Sequence, residues 1–216
     1  LHYSLHSFPT RRSFRSASQF RLIQLKYLHR VYYTWERLWR QSLTTSNRCL
    51  RCGRAVGHFM HTVWECEVVG RFWEEVLSCL EQVLGDIIPR DPKCILLHAP
   101  EDVDCNRYKK ALLWLGLTVA KRDIAKHWGV AEKPPLGAWK RGMDHCMALG
   151  RPVYISRGCP QKYYKIWSDW AKYRDIKMAP AQVVPGQGLS PSCWSGGGAD
   201  GVWLYWLDIL VGWVRR

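Results

Sequence analysis

Apolar residues along this chain recur mostly at intervals of three and four, the spacing of amphipathic helices. From Ser18 onward, Phe20, Ile23, Tyr27, Leu28 and Val31 keep that interval, while Arg21, Lys26, Arg30, Arg37 and Arg40 occupy the rest of the helical wheel. Val69, Phe72, Trp73, Val76, Leu80, Val83 and Leu84 form an unbroken stripe that Gly85 is placed to stop. The proline-punctuated stretch DIIPRDPKCILLHAP reads as an extended connection with one short strand at Ile95 to Leu97. Asp104 is expected to cap a long helix reaching about His127. Tyr108, Leu112, Leu115 and Val119 make one of its rows, and Leu113, Leu117, Ala120, Ile124 and Trp128 the next. Lys109, Lys121, Arg122 and Lys126 fill its polar remainder. Pro135 suits the first turn of a further helix carrying Leu136, Trp139, Met143 and Met147 on one face. GRPVYISRGCP reads as a break. Tyr163, Ile166, Trp167, Trp170 and Tyr173 then define a last amphipathic helix. Beyond Pro180 the composition turns to Pro, Gly and Ser, as in a linker or disordered tail.

One segment breaks the helical rhythm. CLRCGRAVGHFMHTVWEC, residues 49–66, carries the spacing C-x2-C-x8-H-x4-C. A C-x2-C pair lets two sulfurs reach one ion from a tight turn, and Gly53 directly after Cys52 eases that turn. His61 and Cys66 can return from the other side of the loop, with His58 as a rival to His61. Thiolate and imidazole are the ligands that zinc prefers, and four of them leave no position for a reactive water. Trp64, between the last two ligands, can either stack on a nucleic-acid base or pack the small core of the module. Cys79, Cys94, Cys105, Cys146 and Cys159 read as small apolar fillers rather than ligands.

Charge adds direction. Lys and Arg outnumber Asp and Glu by 32 to 18, for a net charge of +14, which favours a polyanionic partner. The surplus is concentrated early, because residues 1–48 hold nine Lys and Arg against the single acid Glu36. Thirteen Trp, ten Tyr and five Phe argue against global disorder. An odd count of nine Cys without a secretory leader fits a reducing compartment. The apolar run VWLYWLDILVGWV interrupts itself with Asp208 and falls short of the roughly 20 residues a membrane span needs, so no membrane association is expected. No G-x-S-x-G, P-loop or H-E-x-x-H is present. The acidic group Glu101 to Asp104 reads as helix capping rather than as the paired aspartates of a polymerase.

The stretch from Phe20 to Val76 resembles the zinc-binding region that follows the polymerase in the second-frame protein of LINE-type (non-LTR) retrotransposons. The resemblance is carried by Gln24, Lys26, Leu28, His29 and Arg30, by Cys49, Cys52, His61, Trp64 and Cys66, and by Phe72 and Trp73. It continues more weakly through DPKCILLH, through Ala120, Ile124, Ala125 and Trp128, and through Tyr163, Trp167 and Trp170, covering about residues 18–175. Trp35 and Met60 depart from the family pattern without touching a ligand.

The resemblance implies zinc held by Cys49, Cys52, His61 and Cys66. It implies a module that holds RNA, and also DNA, during target-primed reverse transcription, with Arg21, Lys26, His29, Arg30, Arg37 and Trp64 facing nucleic acid. The polymerase chemistry would belong to an upstream reverse transcriptase domain, and the particle would be a ribonucleoprotein of nucleus and cytoplasm. A module that instead buttresses that polymerase is the alternative. The expected architecture is mainly α: a helical domain with a small CCHC zinc knuckle insert and a disordered C-terminal tail. Residues 1–17 read as foreign or disordered, 18–46 as a basic helical segment, and 47–85 as the knuckle plus a helix. Residues 86–178 read as a helical C-terminal domain and 179–216 as the tail, in a chain that reads as a fragment.

Overall fold

The structure, a computed structural model, describes residues 11–98 and 105–178, with side chains from residue 19 onward. Asp104, the acidic group before it and the Pro/Gly-rich tail lie outside the described residues. Among the described residues the chain is helical, with no strand beyond an isolated antiparallel bridge between Arg48 and Val56. The helices are α1 (Arg11–Leu28), α2 (Trp35–Arg40), α3 (Glu67–Leu84), α4 (Pro92–Leu97), α5 (Arg107–Lys126), α6 (Leu136–Ser156) and α7 (Pro160–Tyr173). A single π-helical turn, His61–Glu65, precedes α3. Among the described residues no helix is long and apolar enough to cross a membrane.

The strongest stripe behaves as its spacing dictates. Val69, Phe72, Trp73, Val76, Leu80, Val83 and Leu84 are all buried on α3, and Gly85 ends the helix at φ 70° with its N–H on the Glu81 carbonyl. Trp139, Met143 and Met147 are likewise buried on α6, and Tyr163, Ile166, Trp167 and Trp170 on α7. Cys79, Cys94 and Cys146 are buried fillers and Cys105 is half-buried. Cys159 differs from that expectation, being half-buried and disulfide-bonded.

Several elements depart from the pattern. α1 starts at Arg11, ahead of Ser18, and stops at Leu28, where the chain turns through Arg30 at φ 49°. Its buried row is Phe20, Gln24 and Tyr27, while Leu28 and Val31 are exposed. A polar Gln24 thus takes the inward position that apolar counting assigns elsewhere. Ile95 to Leu97 belong to α4 and not to a strand. The Asp91 carboxylate accepts the Cys94 N–H at 3.1 Å and Pro92 occupies the first turn, an N-cap and N1 pair that starts a helix locally. Three consecutive apolar residues cannot by themselves distinguish the two states. Asn106 caps α5, its Oδ1 accepting from the N–H groups of Tyr108 and Lys109 at 3.0 Å each. α6 runs through the expected break as far as Ser156, with Pro152 inside it, and the chain turns only at Gly158.

Contacts group the chain into two compact units, each discontinuous in sequence. In the first, which among described residues holds 11–21, 105–113 and 144–178, α7 packs on the second half of α6. The Tyr163 hydroxyl donates to the Met147 carbonyl at 3.0 Å, and Trp170 Nε1 and the Arg174 guanidinium converge on the Asp144 carboxylate. In the second, holding 22–98 and 114–143, α3 and the inner turns of α5 supply the core, and Trp139 Nε1 donates to the Gly116 carbonyl at 2.9 Å.

Lys121 corrects the expectation of a solvated polar face on α5. It has no exposure at all. Its Nζ meets Gln24 Oε1 at 2.6 Å, the Leu96 carbonyl at 2.9 Å and His98 Nε2 at 2.8 Å. Gln24 Nε2 donates to the same Leu96 carbonyl, and the Tyr27 hydroxyl donates to the carbonyl of Lys121. A buried amine is tolerated only when its donors find acceptors, and here one amine ties α1, α4 and α5 together.

Candidate metal centre and the cation–aromatic surface beside it

The cluster is assembled by two local devices in the second unit. Residues 47–57 fold back on themselves. The Cys49 N–H bonds the Ala55 carbonyl at 2.8 Å, the Gly57 N–H bonds Asn47 at 2.8 Å, and the Gly53 N–H bonds Cys49 at 2.9 Å with Gly53 at φ 66°. This hairpin presents Cys49 and Cys52 on one side. The second device is the π-helical turn, in which the Cys66 N–H reaches the His61 carbonyl at 2.9 Å. Residues five apart on an α-helix point about 140° away from each other at 3.6 residues per turn. The wider turn returns residue i+5 over residue i, so His61 and Cys66 face the same point.

Cys49 Sγ and Cys66 Sγ stand 3.9 Å apart, Cys52 Sγ and His61 Nε2 stand 3.3 Å apart, and all four ligand atoms lie within 4.8 Å of one another. A disulfide would need about 2.05 Å. A tetrahedral ion with bonds of about 2.3 Å to sulfur spaces its ligands by about 3.8 Å. The four side chains therefore form a cage that can hold a metal ion, with three of them buried and Cys52 half-buried. His58 is not a member. Its Nδ1 accepts the His61 backbone N–H at 3.2 Å, and its Nε2 faces Glu65.

The electrostatics suit a cation. Burial, with His58 beside it, lowers His61 and keeps its imidazole neutral, the form a metal takes. Burial pushes the Cys66 thiol up to about 11, against the pull of the Val68 and Val69 N–H groups at the start of α3. At Cys52 burial also raises the thiol, but hydrogen bonds from the N–H groups of Ala55 and Arg54 and with the Cys49 and Cys66 thiols together bring the net value down. A buried thiol and a half-exposed one thus move in opposite directions, and a divalent cation in the cage would make all three thiolates favourable together.

In the same unit as the cluster, cations from α1 and α2 meet rings from the link between them and from the residue that follows His127 after α5. Lys26 Nζ lies 5.8 Å from the Tyr32 ring centre, and Tyr32 stacks on Trp128 at 4.7 Å and 25°. Trp128 Nε1 donates to the Tyr33 carbonyl at 2.7 Å, and the Arg37 guanidinium lies 4.9 Å over the Tyr33 ring. Tyr27 and Phe59 close the back of this row, at 5.8 Å from each other and with Phe59 6.4 Å from Trp128. Tyr33 is exposed, and Tyr32, Phe59 and Trp128 are half-buried.

Of the expected nucleic-acid residues, Lys26 and Arg37 take part in this row. His29 and Arg30 are exposed at the turn that follows α1. Arg21 belongs to the other unit, where its Nε is buried without a hydrogen-bond partner. Trp64 is half-buried and packs on Trp73 at 5.9 Å, which is the core-packing alternative. Sequence reasoning passed over Tyr32 and Tyr33, although KYLHRVYYTWER interleaves basic and aromatic residues in a way that signals such a surface. No family model matches the chain.

Proposed function

We propose that this chain is a non-catalytic, zinc-stapled module that holds single-stranded RNA. By its resemblance it is the C-terminal region of a LINE-type retrotransposon reverse transcriptase. The observation that carries the reading is the Cys49–Cys52–His61–Cys66 cage beside the Lys26–Tyr32–Trp128–Tyr33–Arg37 row within one compact unit. Zinc suits three sulfurs and an imidazole in a closed tetrahedron, and a closed shell gives it the role of a staple. Rings offer stacking to any base, while Lys and Arg neutralise phosphates without choosing sequence. In this reading polymerisation belongs to an upstream domain, target DNA is a further ligand, and the particle works in nucleus and cytoplasm as a ribonucleoprotein.

The test combines metal content with a salt titration. Elemental mass spectrometry on the purified chain is expected to find one zinc per molecule. Binding to an oligouridylate should weaken with salt, and Lys26→Ala with Arg37→Ala should flatten the log–log slope by about 1.4, at roughly 0.7 per lost phosphate contact on a single strand. An unchanged slope in the double variant would remove the row from the binding surface.

A second reading, a module buttressing a polymerase domain, is favoured by one observation. Leu22, Leu25 and Leu28 recur every three residues on α1 and are 51%, 43% and 48% exposed. A zinc-loaded chain with no affinity for RNA would favour it.

A further inference from the structure

Arg51 lies between two cage residues in sequence, and its side chain leaves the knuckle. One arm of the guanidinium, Nη1, donates to the Thr62 carbonyl in the π-helical turn at 3.1 Å. The other, Nη2, donates to the His127 carbonyl just past the end of α5 at 2.8 Å. His127 directly precedes Trp128, the ring that stacks on Tyr32. Carbonyls at the end of a helix have no partner within it, and a cationic side chain is a favourable one. The guanidinium is half-buried, and every hydrogen-bond partner just named is a carbonyl. Burial lowers its basicity, and the charges of Cys49 and Cys66 act in the opposite direction. Three thiolates around a divalent ion keep one net negative charge, which a neighbouring guanidinium offsets. Two separate nitrogens of the planar fork each serve one carbonyl, a fixed geometry that the single nitrogen of an ammonium at this position does not reproduce.

We infer that Arg51 is a positioning residue that couples occupation of the Cys/His cage to the end of α5, and so to the Tyr32–Trp128 stack. The inference rests on the metal reading of the cage and adds to it a regulation. The metal fixes the backbone on both sides of Arg51, Arg51 fixes His127, and the ring beside His127 keeps its place. The loaded chain then presents an ordered aromatic row, and the stripped chain loses that order without unfolding α5.

Hydrogen exchange followed by mass spectrometry on the full chain tests this, with zinc loaded and after removal by a chelator. In the wild type, stripping should speed exchange over residues 125–130 roughly tenfold, the scale of a lost charged hydrogen bond, while residues 112–120 stay protected. Arg51→Ala should exchange fast over 125–130 even when loaded. Arg51→Lys keeps the charge and serves if the alanine variant fails to fold. It should hold zinc within a few-fold of wild type in chelator competition and still exchange fast over 125–130. Wild-type protection of 125–130 in loaded Arg51→Lys would overturn the coupling, and so would stripping that leaves the wild type unchanged or deprotects 112–120 equally. A wild type that takes up no zinc would overturn the cage reading and this inference together. A loaded, coupled chain that does not bind oligouridylate would overturn the RNA reading and leave the coupling standing.

Discussion

Replacing Gly57 by alanine isolates how closely the knuckle must approach α2. Gly57 is not held by a left-handed backbone, since only Gly53, Gly85 and Gly158 among the described glycines have positive φ. The constraint is space. A Cβ at 57 would stand 2.9 Å from Trp35 Cβ, 3.2 Å from Cys49 Cα and 3.3 Å from Cys49 N. Carbon atoms pack best at about 3.5–4.0 Å, so the nearest contact is short by about 0.6 Å or more. Two of the three obstacles are backbone atoms of a cage residue and cannot rotate away. The backbone of residue 57 is also committed, with its N–H on Asn47 and its carbonyl accepting the Glu36 N–H at 3.3 Å. Either α2 or Cys49 must move. Overpacking of this kind costs about 1–3 kcal/mol. If all of that strain falls on the closed knuckle, apparent zinc affinity drops roughly 5- to 150-fold, at about 1.4 kcal/mol per factor of ten. Competition against a chromophoric chelator reads the affinity directly. Gly53→Ala is the companion, because its Cβ would meet nothing within 4 Å and only its φ of 66° is strained. It should cost about 1–2 kcal/mol through the backbone alone. Unchanged zinc affinity in Gly57→Ala would refute the argument that this approach holds Cys49 in place.

Cys66→Ser should abolish stoichiometric zinc binding and melt the knuckle, because a structural metal supplies folding energy directly. Cys79→Ser, buried on α3 outside the cage, should lower thermal stability and keep one zinc, and loss of zinc there would reassign the ligands. Lys121 gives stability a slope in pH. Burial holds its amine well below the ordinary lysine value, so between that depressed value and about 10.4 the unfolded chain binds the extra proton and stability climbs with pH. Tyr27, raised well above 10.0 by burial, reverses the trend at still higher pH. Denaturant midpoints measured from neutral to alkaline pH should rise in wild type and lie flatter in Lys121→Met. Parallel curves would mean that Lys121 does not titrate in this window.

What the sequence determined by itself is local. The α3 and α7 stripes are periodic over several turns, and their burial follows from that period. The C-x2-C-x8-H-x4-C spacing was equally legible, because ligands that close a cage from a hairpin and one wide turn must be near in sequence. Even there, spacing alone left His58 as a rival and the resemblance favoured His61; the π-helical turn, which no residue pattern announces, is what brings His61 over Cys66. The resemblance named the cage, but it did not place the residues that hold it. Gln24 and Lys121 are 97 positions apart, Arg51 and His127 are 76, and Trp128 and Tyr33 are 95. A lysine on a helical wheel looks solvated, and a glycine near a turn looks flexible. Lys121 is buried because three polar groups from α1, α4 and the residue after α4 converge on its amine, and Gly57 is required because Cys49 lies against it. Such choices depend on which distant groups meet, so only the tertiary structure decided them.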